Sequence, residues 1–147
     1  GKLDSLKKDV IISIKGSSTV DGETDTVELI TQGTYYLKNG NYYLCYEETE
    51  ATGFEGSRTV LKVCAPHKVT LLRSGERRAE MIVEPGVRHH CNYDMGYGEL
   101  MIGVSGSQVQ SSLGENGGEL LFSYAIDVNT SLASENEVRI QVKECQS

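Results

Sequence analysis

The residues of this chain with a type and spacing suited to chemistry emerge from parity along alternating runs. In Lys68–Ser74, Val69, Leu71 and Arg73 fall on one face, so a guanidinium is carried toward the interior together with two aliphatic side chains. In Tyr42–Glu50, Leu44, Tyr46 and Glu48 share a face, and in Glu119–Val128, Tyr124 lies with Phe122 and Ile126. A cationic fork, a carboxylate and phenolic hydroxyls converging at one end of an apolar interior would hold an anion or a polar head group. Arg73 is then the anion anchor, Tyr46 and Tyr124 supply wall and hydrogen bonds, and Glu48 orients Arg73. Tyr97, which with Tyr93 flanks Gly96, is a candidate rim or lid. The alternative is that Arg73 pairs with Glu48 or another carboxylate and simply closes that end, because an inward charge must find a partner either way.

Other constellations are weaker. His89, His90 and Cys91 form the one local His/Cys cluster, but on a strand His89 and Cys91 share a face while His90 points the other way. A third ligand would have to come from His67 or a distant cysteine, so these read as ordinary strand residues and no metal is assigned. Cys45, Cys64, Cys91 and Cys145 contain no CxxC pair. Glu47, Glu48 and Glu50 with Asp94 could supply a carboxylate pair, yet acidic runs beside loops are usually solvated. Ser105 in Gly103-Val104-Ser105-Gly106-Ser107 is not in a GxSxG elbow, and Gly96, Gly98 and Gly103 lack Rossmann spacing. With no complete set of nucleophile, base and orienter, no catalytic residue and no cofactor is assigned.

Composition narrows the class further. A chain of 147 residues supports one domain with its own core, and 38% hydrophobic with 24% charged residues describes a folded, water-soluble protein. Twenty-one acidic against 14 basic side chains give a net charge of -7, which repels a phosphate backbone, so no nucleic-acid partner is expected. No run of about 18 apolar residues could span a bilayer. No charged start followed by an apolar segment is visible, so a cytoplasmic protein with reduced thiols is expected. Residues 1–7 read as an N-terminal extension, tag-derived in part, and residues 8–147 as a single domain.

The elements that must position these residues are strands. The 16 glycines against 2 prolines suggest many tight turns, and the 8 tyrosines suggest half-wet strand faces. Alternation of period two runs through Lys8–Lys15, Asp25–Leu37, Tyr42–Glu50, Arg58–Cys64, Lys68–Ser74, Ala79–Glu84, Val87–Asp94, Leu100–Val104, Glu119–Val128 and Glu137–Lys143. Gly33 marks a bend, and Asn39-Gly40 a hairpin turn. Ser105–Gly118 reads as a polar connection, and Ser131–Asn136 as a polar linker with room for one helical turn. Eight to ten strands joined by short turns in up-and-down order favour an all-β antiparallel barrel.

Asp9-Val10-Ile11-Ile12-Ser13-Ile14-Lys15-Gly16, Tyr46-Glu47-Glu48-Thr49-Glu50-Ala51-Thr52-Gly53, Arg73-Ser74-Gly75, Tyr93-Asp94 with Tyr97-Gly98, and Asn116-Gly117-Gly118-Glu119-Leu120 follow one another along the chain. As an ordered set they resemble the YwiB-like family of uncharacterised bacterial proteins over almost the whole sequence. The resemblance implies a lipocalin-like, or calycin, β-barrel and transfers no catalytic residue, since the family has no assigned activity. Two functional expectations follow. One is a non-enzymatic barrel that binds a small anionic or amphipathic ligand. The other is a module for protein interaction or homodimer formation, with a filled barrel and a docking face on the hairpin bearing Tyr35, Tyr36, Tyr42 and Tyr43.

Overall fold

Strands alternating apolar and polar side chains can bury one face and wet the other, and a chain made almost wholly of them must close its sheet or leave sticky edges. This chain closes it. The computed structural model describes residues 5–64, 67–94 and 96–145. Its strands are β1 (Lys8–Val20), β2 (Glu23–Lys38), β3 (Asn41–Glu47), β4 (Ser57–Cys64), β5 (Lys68–Gly75), β6 (Ala79–Val83), β7 (Arg88–Asp94), β8 (Glu99–Ser111), β9 (Gly117–Val128) and β10 (Ser131–Glu144). Each is hydrogen-bonded to its sequence neighbours, and β10 pairs antiparallel with β1, giving one closed barrel in up-and-down order. One short 3₁₀ turn, Glu50–Thr52, interrupts the connection from β3 to β4.

The strands run further than alternation of apolar residues marks. β1 and β2 continue past Lys15 and Asp25 to meet at Asp21-Gly22, where both residues have positive φ (51° and 79°). Asn39-Gly40 (52° and 80°) and Asn129-Thr130 (51° and 68°) repeat this geometry, which suits the twist of a two-residue hairpin. The Asn129-Thr130 turn returns the chain straight onto β9, so Ser131–Asn136 is strand, not a linker or a helical turn. Likewise Ser105–Ser111 belongs to β8. Its polar residues face water, its register shifts between Gly106 and Gln108, and Val109 is thereby returned to the core. Ser5 donates its amide to the Leu37 carbonyl (2.8 Å) and accepts the Leu37 amide on its hydroxyl (2.8 Å), tying the chain just before β1 to β2.

Inside the barrel, Val10, Ile12, Leu44, Val69, Ile102 and Leu120 are all but inaccessible and form one apolar cluster. All four cysteines are unpaired, with Cys45 and Cys91 buried. Among the described residues no helix is long and apolar enough to cross a membrane.

Gly33 sits between Val10 and Tyr46 on the inner face of β2. A methyl group there would run into the Cys45 carbonyl oxygen and Ile12 Cδ1, so the strands approach this closely only because the position has no side chain. Gly33→Ala should therefore lower the unfolding free energy by about 1–3 kcal/mol, read by urea denaturation. An unchanged midpoint would contradict the close approach.

Candidate functional site

Register assembles the site. Tyr46 pairs with Thr59, Thr59 with Arg73, Arg73 with Ala79, and Ala79 with Tyr93, so one lateral row across β3 to β7 carries phenol, hydroxyl, guanidinium, methyl and phenol. Arg73 is only 8% exposed. Its Nε donates to Thr59 Oγ1 (3.3 Å), and its Cζ lies 3.7 Å from the centroid of the Phe54 ring. Phe54 belongs to the connection from β3 to β4, which folds its ring over the guanidinium. The Nη groups of Arg73 have no hydrogen-bond partner among the described residues, and no carboxylate there is within ion-pair distance.

Glu48 therefore does not orient Arg73 as parity suggested. It is buried, at 6% exposure, and accepts a hydrogen bond from Thr52 Oγ1 (3.0 Å). β3 ends at Glu47, so Glu48 begins the connection, and the 3₁₀ turn brings the Thr52 hydroxyl back to it before any strand cation can reach it.

Tyr46 lies under the influence of both charges. Burial raises its phenol well above the usual value of 10.0, the Glu48 carboxyl pushes the same way, and Arg73 opposes them. Tyr124 stacks on Phe122 (centroids 6.0 Å, 18°). Its phenol is also raised by burial, then by Tyr93, with Arg73 again opposing, which places Tyr93, Tyr124 and Arg73 in one electrostatic neighbourhood across the barrel. Yet Tyr124 and Tyr93 remain partly accessible.

Tyr97 takes no part in this group. At 98% exposure, between Gly96 and Gly98 with φ of 101° and 106°, it is turned outward by a backbone that the two glycines permit. Two contributors were not singled out by sequence, Thr59 and Phe54. Thr59 had a signal, since it shares the inward face of β4 with Leu61 and Val63, a hydroxyl in an aliphatic row. Phe54 had none, because a loop residue has no period to betray its direction.

The remaining candidates are used structurally. His89 Nε2 donates to Glu84 Oε1 (2.9 Å). On the opposite face, Arg88 makes a bidentate pair with Asp127 (2.9 and 2.7 Å) and donates to His90 Nε2 (2.9 Å). That pairing holds the Asp127 carboxyl below its usual range. Among the described residues no group of three His, Cys, Asp or Glu side chains comes together to hold a metal. On the tyrosine hairpin, Tyr35 is buried, stacks on Tyr42 (5.3 Å) and donates its hydroxyl to the Gly114 carbonyl (2.7 Å). Tyr36 and Tyr43 stack outside (4.9 Å), each with a lysine over its ring, Lys7 at 5.2 Å and Lys62 at 5.9 Å. A separate groove of about 610 Å³ opens on the outer wall, beside Ser13, Lys15, Ile30, Leu121 and Arg139. It shares no residue with the Arg73 row, and it lacks the buried cation that makes the interior site chemically distinctive.

The buried phenols have a measurable consequence. Tyr35, Tyr46 and Tyr124 are all raised by burial, so each stays protonated in the folded state while its unfolded counterpart ionises near 10.0. Their contribution to stability is complete below that pH and is lost as the pH rises through and beyond it. In an alkaline titration, tyrosinate absorbance from these three of the 8 tyrosines should appear only with unfolding. Ionisation of all eight near 10 in the folded protein would contradict the burial.

Comparison with known proteins agrees with this architecture. A family model described as a domain of unknown function, DUF1934, matches residues 12–140. The uncharacterized β-barrel protein YwiB of Bacillus subtilis (strain 168) is 30% identical over 125 residues, covering 84% of this chain and 86% of that protein. The crystal structure of ywiB protein from Bacillus subtilis superposes with a TM-score of 0.85 at 24% identity, over 99% of this chain and 97% of that one, and so shows the same fold. With nearly its whole barrel matched, the chain belongs to the DUF1934 family of uncharacterised β-barrel proteins, to which YwiB is similar in sequence and in fold.

Proposed function

We propose that this protein is a binding protein, not an enzyme, whose barrel takes a small ligand with an anionic head held by Arg73. The observation that carries the reading is a buried guanidinium whose Nη groups lack a partner among the described protein groups. Stacking on Phe54 and one bond to Thr59 hold the fork in place, and its Nη groups remain accessible although the residue as a whole is 8% exposed. An anion received by the free side of the fork would supply the missing partner in bidentate geometry. Tyr93 and Tyr124 would serve as hydrogen-bond donors beside it, while the Tyr46 phenol is engaged with Glu48 and Thr59 and forms wall. Their role is binding, because phenols raised by burial are poor bases at neutral pH. The four unpaired thiols suit a reducing cytoplasm.

The test uses 8-anilinonaphthalene-1-sulfonate, an apolar monoanion whose fluorescence rises when it leaves water. Wild-type protein should bind it, and Arg73→Met, which retains most of the side-chain volume, should weaken binding at least about tenfold, the loss of one charge-assisted contact. Arg73→Lys, which keeps the charge and loses the fork, should fall between them. Equal binding by all three folded proteins would sink the reading. Native mass spectrometry of the protein purified from its own cells would then weigh any ligand it retains.

A further inference from the structure

We infer that the first half of β2 is a docking edge, which takes a lysine-bearing extended segment of another protein as an added antiparallel strand. The inference is independent of Arg73. β2 is the longest strand, yet β3 covers only its second half: Gly33–Lys38 pair with β3, whereas residues 23–32 pair with β1 alone. The hairpin fixes which backbone groups are left over. In a two-residue turn the flanking residues, here Val20 and Glu23, exchange hydrogen bonds, so Glu23, Asp25, Val27 and Leu29 direct their N–H and C=O groups to β1. Those of Thr24, Thr26, Glu28 and Ile30 point the other way, and none has a backbone partner among the described residues. The 3₁₀ turn Glu50–Thr52 lies beside β2 without a backbone hydrogen bond to it.

The edge is ordered before any partner arrives. The Thr24 and Thr26 hydroxyls hydrogen-bond across the hairpin to Thr19 (2.7 Å) and Ser17 (3.2 Å), which lowers the cost of ordering on binding. Residues 23–28 are exposed on both faces, so the side chains of an added strand have room. Thr24, Thr26, Val27, Ile30 and Thr31 are β-branched, and residues 23–32 contain no proline, lysine or bulge to blunt the edge. Charge decides the partner. Glu23 and Asp25 have no ion pair among the described residues, and Glu28 has only a 4.0 Å approach to Lys15. A second copy laid antiparallel here would crowd carboxylates against carboxylates in a chain already at -7, whereas lysines opposite them would pair. The carboxylates that repel a like strand thus select an opposite one. Apolar side chains opposite Val27 and Ile30, 40% and 75% exposed, complete the match.

The probe is the end-blocked peptide Val-Thr-Lys-Val-Thr-Lys-Thr-Lys, which antiparallel to residues 23–30 sets lysines opposite Glu28, Asp25 and Glu23 and valines opposite Ile30 and Val27. In NMR amide exchange of the free protein, Thr24, Thr26 and Glu28 should exchange fast and Asp25 and Val27 slowly; saturating peptide should slow the first set. Thr26→Pro removes an N–H that the barrel does not use, so it should fold and weaken the peptide at least about tenfold. Asp25→Lys, which keeps every backbone group, should weaken it about fivefold, and Arg73→Met should bind it as wild type does. No binding at millimolar peptide, equal affinity for the peptide with glutamates in place of lysines, or unchanged exchange at Thr24, Thr26 and Glu28 would overturn the docking edge, as would full affinity in folded Thr26→Pro. A concentration-dependent dimer in sedimentation that Thr26→Pro abolishes would give the edge to a second copy and overturn the occupant.

Discussion

The pairing of the first strand with the last is the interaction on which everything else rests. From Val10 opposite Glu144 to Thr19 opposite Glu135, β1 and β10 run antiparallel over most of their lengths and turn an open meander into a closed wall. Closure gives each strand two neighbours, although residues 23–32 of β2 pair with β1 alone. It also gives every inward side chain a finite volume to share. Toward one end that volume is consumed by aliphatic residues and by Tyr35, whose hydroxyl reaches the Gly114 carbonyl. Toward the other end, where β3, β5 and β7 finish, the wall carries Tyr46, Arg73 and Tyr93, and the packing loosens.

The Arg73 guanidinium sits at that end, held by the groups around it. The Phe54 ring covers one face, Thr59 takes one N–H, and Ala79 beside it adds no bulk. The nearby buried carboxyl of Glu48 is occupied by Thr52, which leaves the fork free. On the outer wall Arg88 has a different arrangement, an ion pair with Asp127. Two arginines in one small barrel thus take opposite solutions: the outer one is saturated by protein, and the inner one keeps donors in reserve. On the outer face of the tyrosine hairpin, Lys7 and Lys62 lie over the rings of Tyr36 and Tyr43.

Much of this was legible before any coordinates. Alternation identified every strand and the inward direction of Arg73, Tyr46 and Tyr124, because which face a side chain takes depends only on its immediate neighbours along the backbone. Strand ends were less legible. Ser131–Asn136 and Ser105–Ser111 look like loops, as their outer faces are polar and their inner faces carry few large apolar residues, yet both are held by pairing to β9. That pairing is a property of the partner strand and of a shifted register, neither of which has a local signature.

What the sequence determined by itself, then, is a set of strands with known faces and the turn at Asn39-Gly40, all consequences of short-range geometry. Tertiary structure alone decided who meets whom. The row from Tyr46 through Arg73 to Tyr93 depends on four successive registers, and the ring over Arg73 on the path of a loop between strands. Glu48 shows the limit most clearly: it points inward as parity requires, but its partner is Thr52 and not Arg73. Direction is settled within three residues of chain, whereas contact is settled by the closure of a wall whose first and last strands are separated by almost the whole sequence.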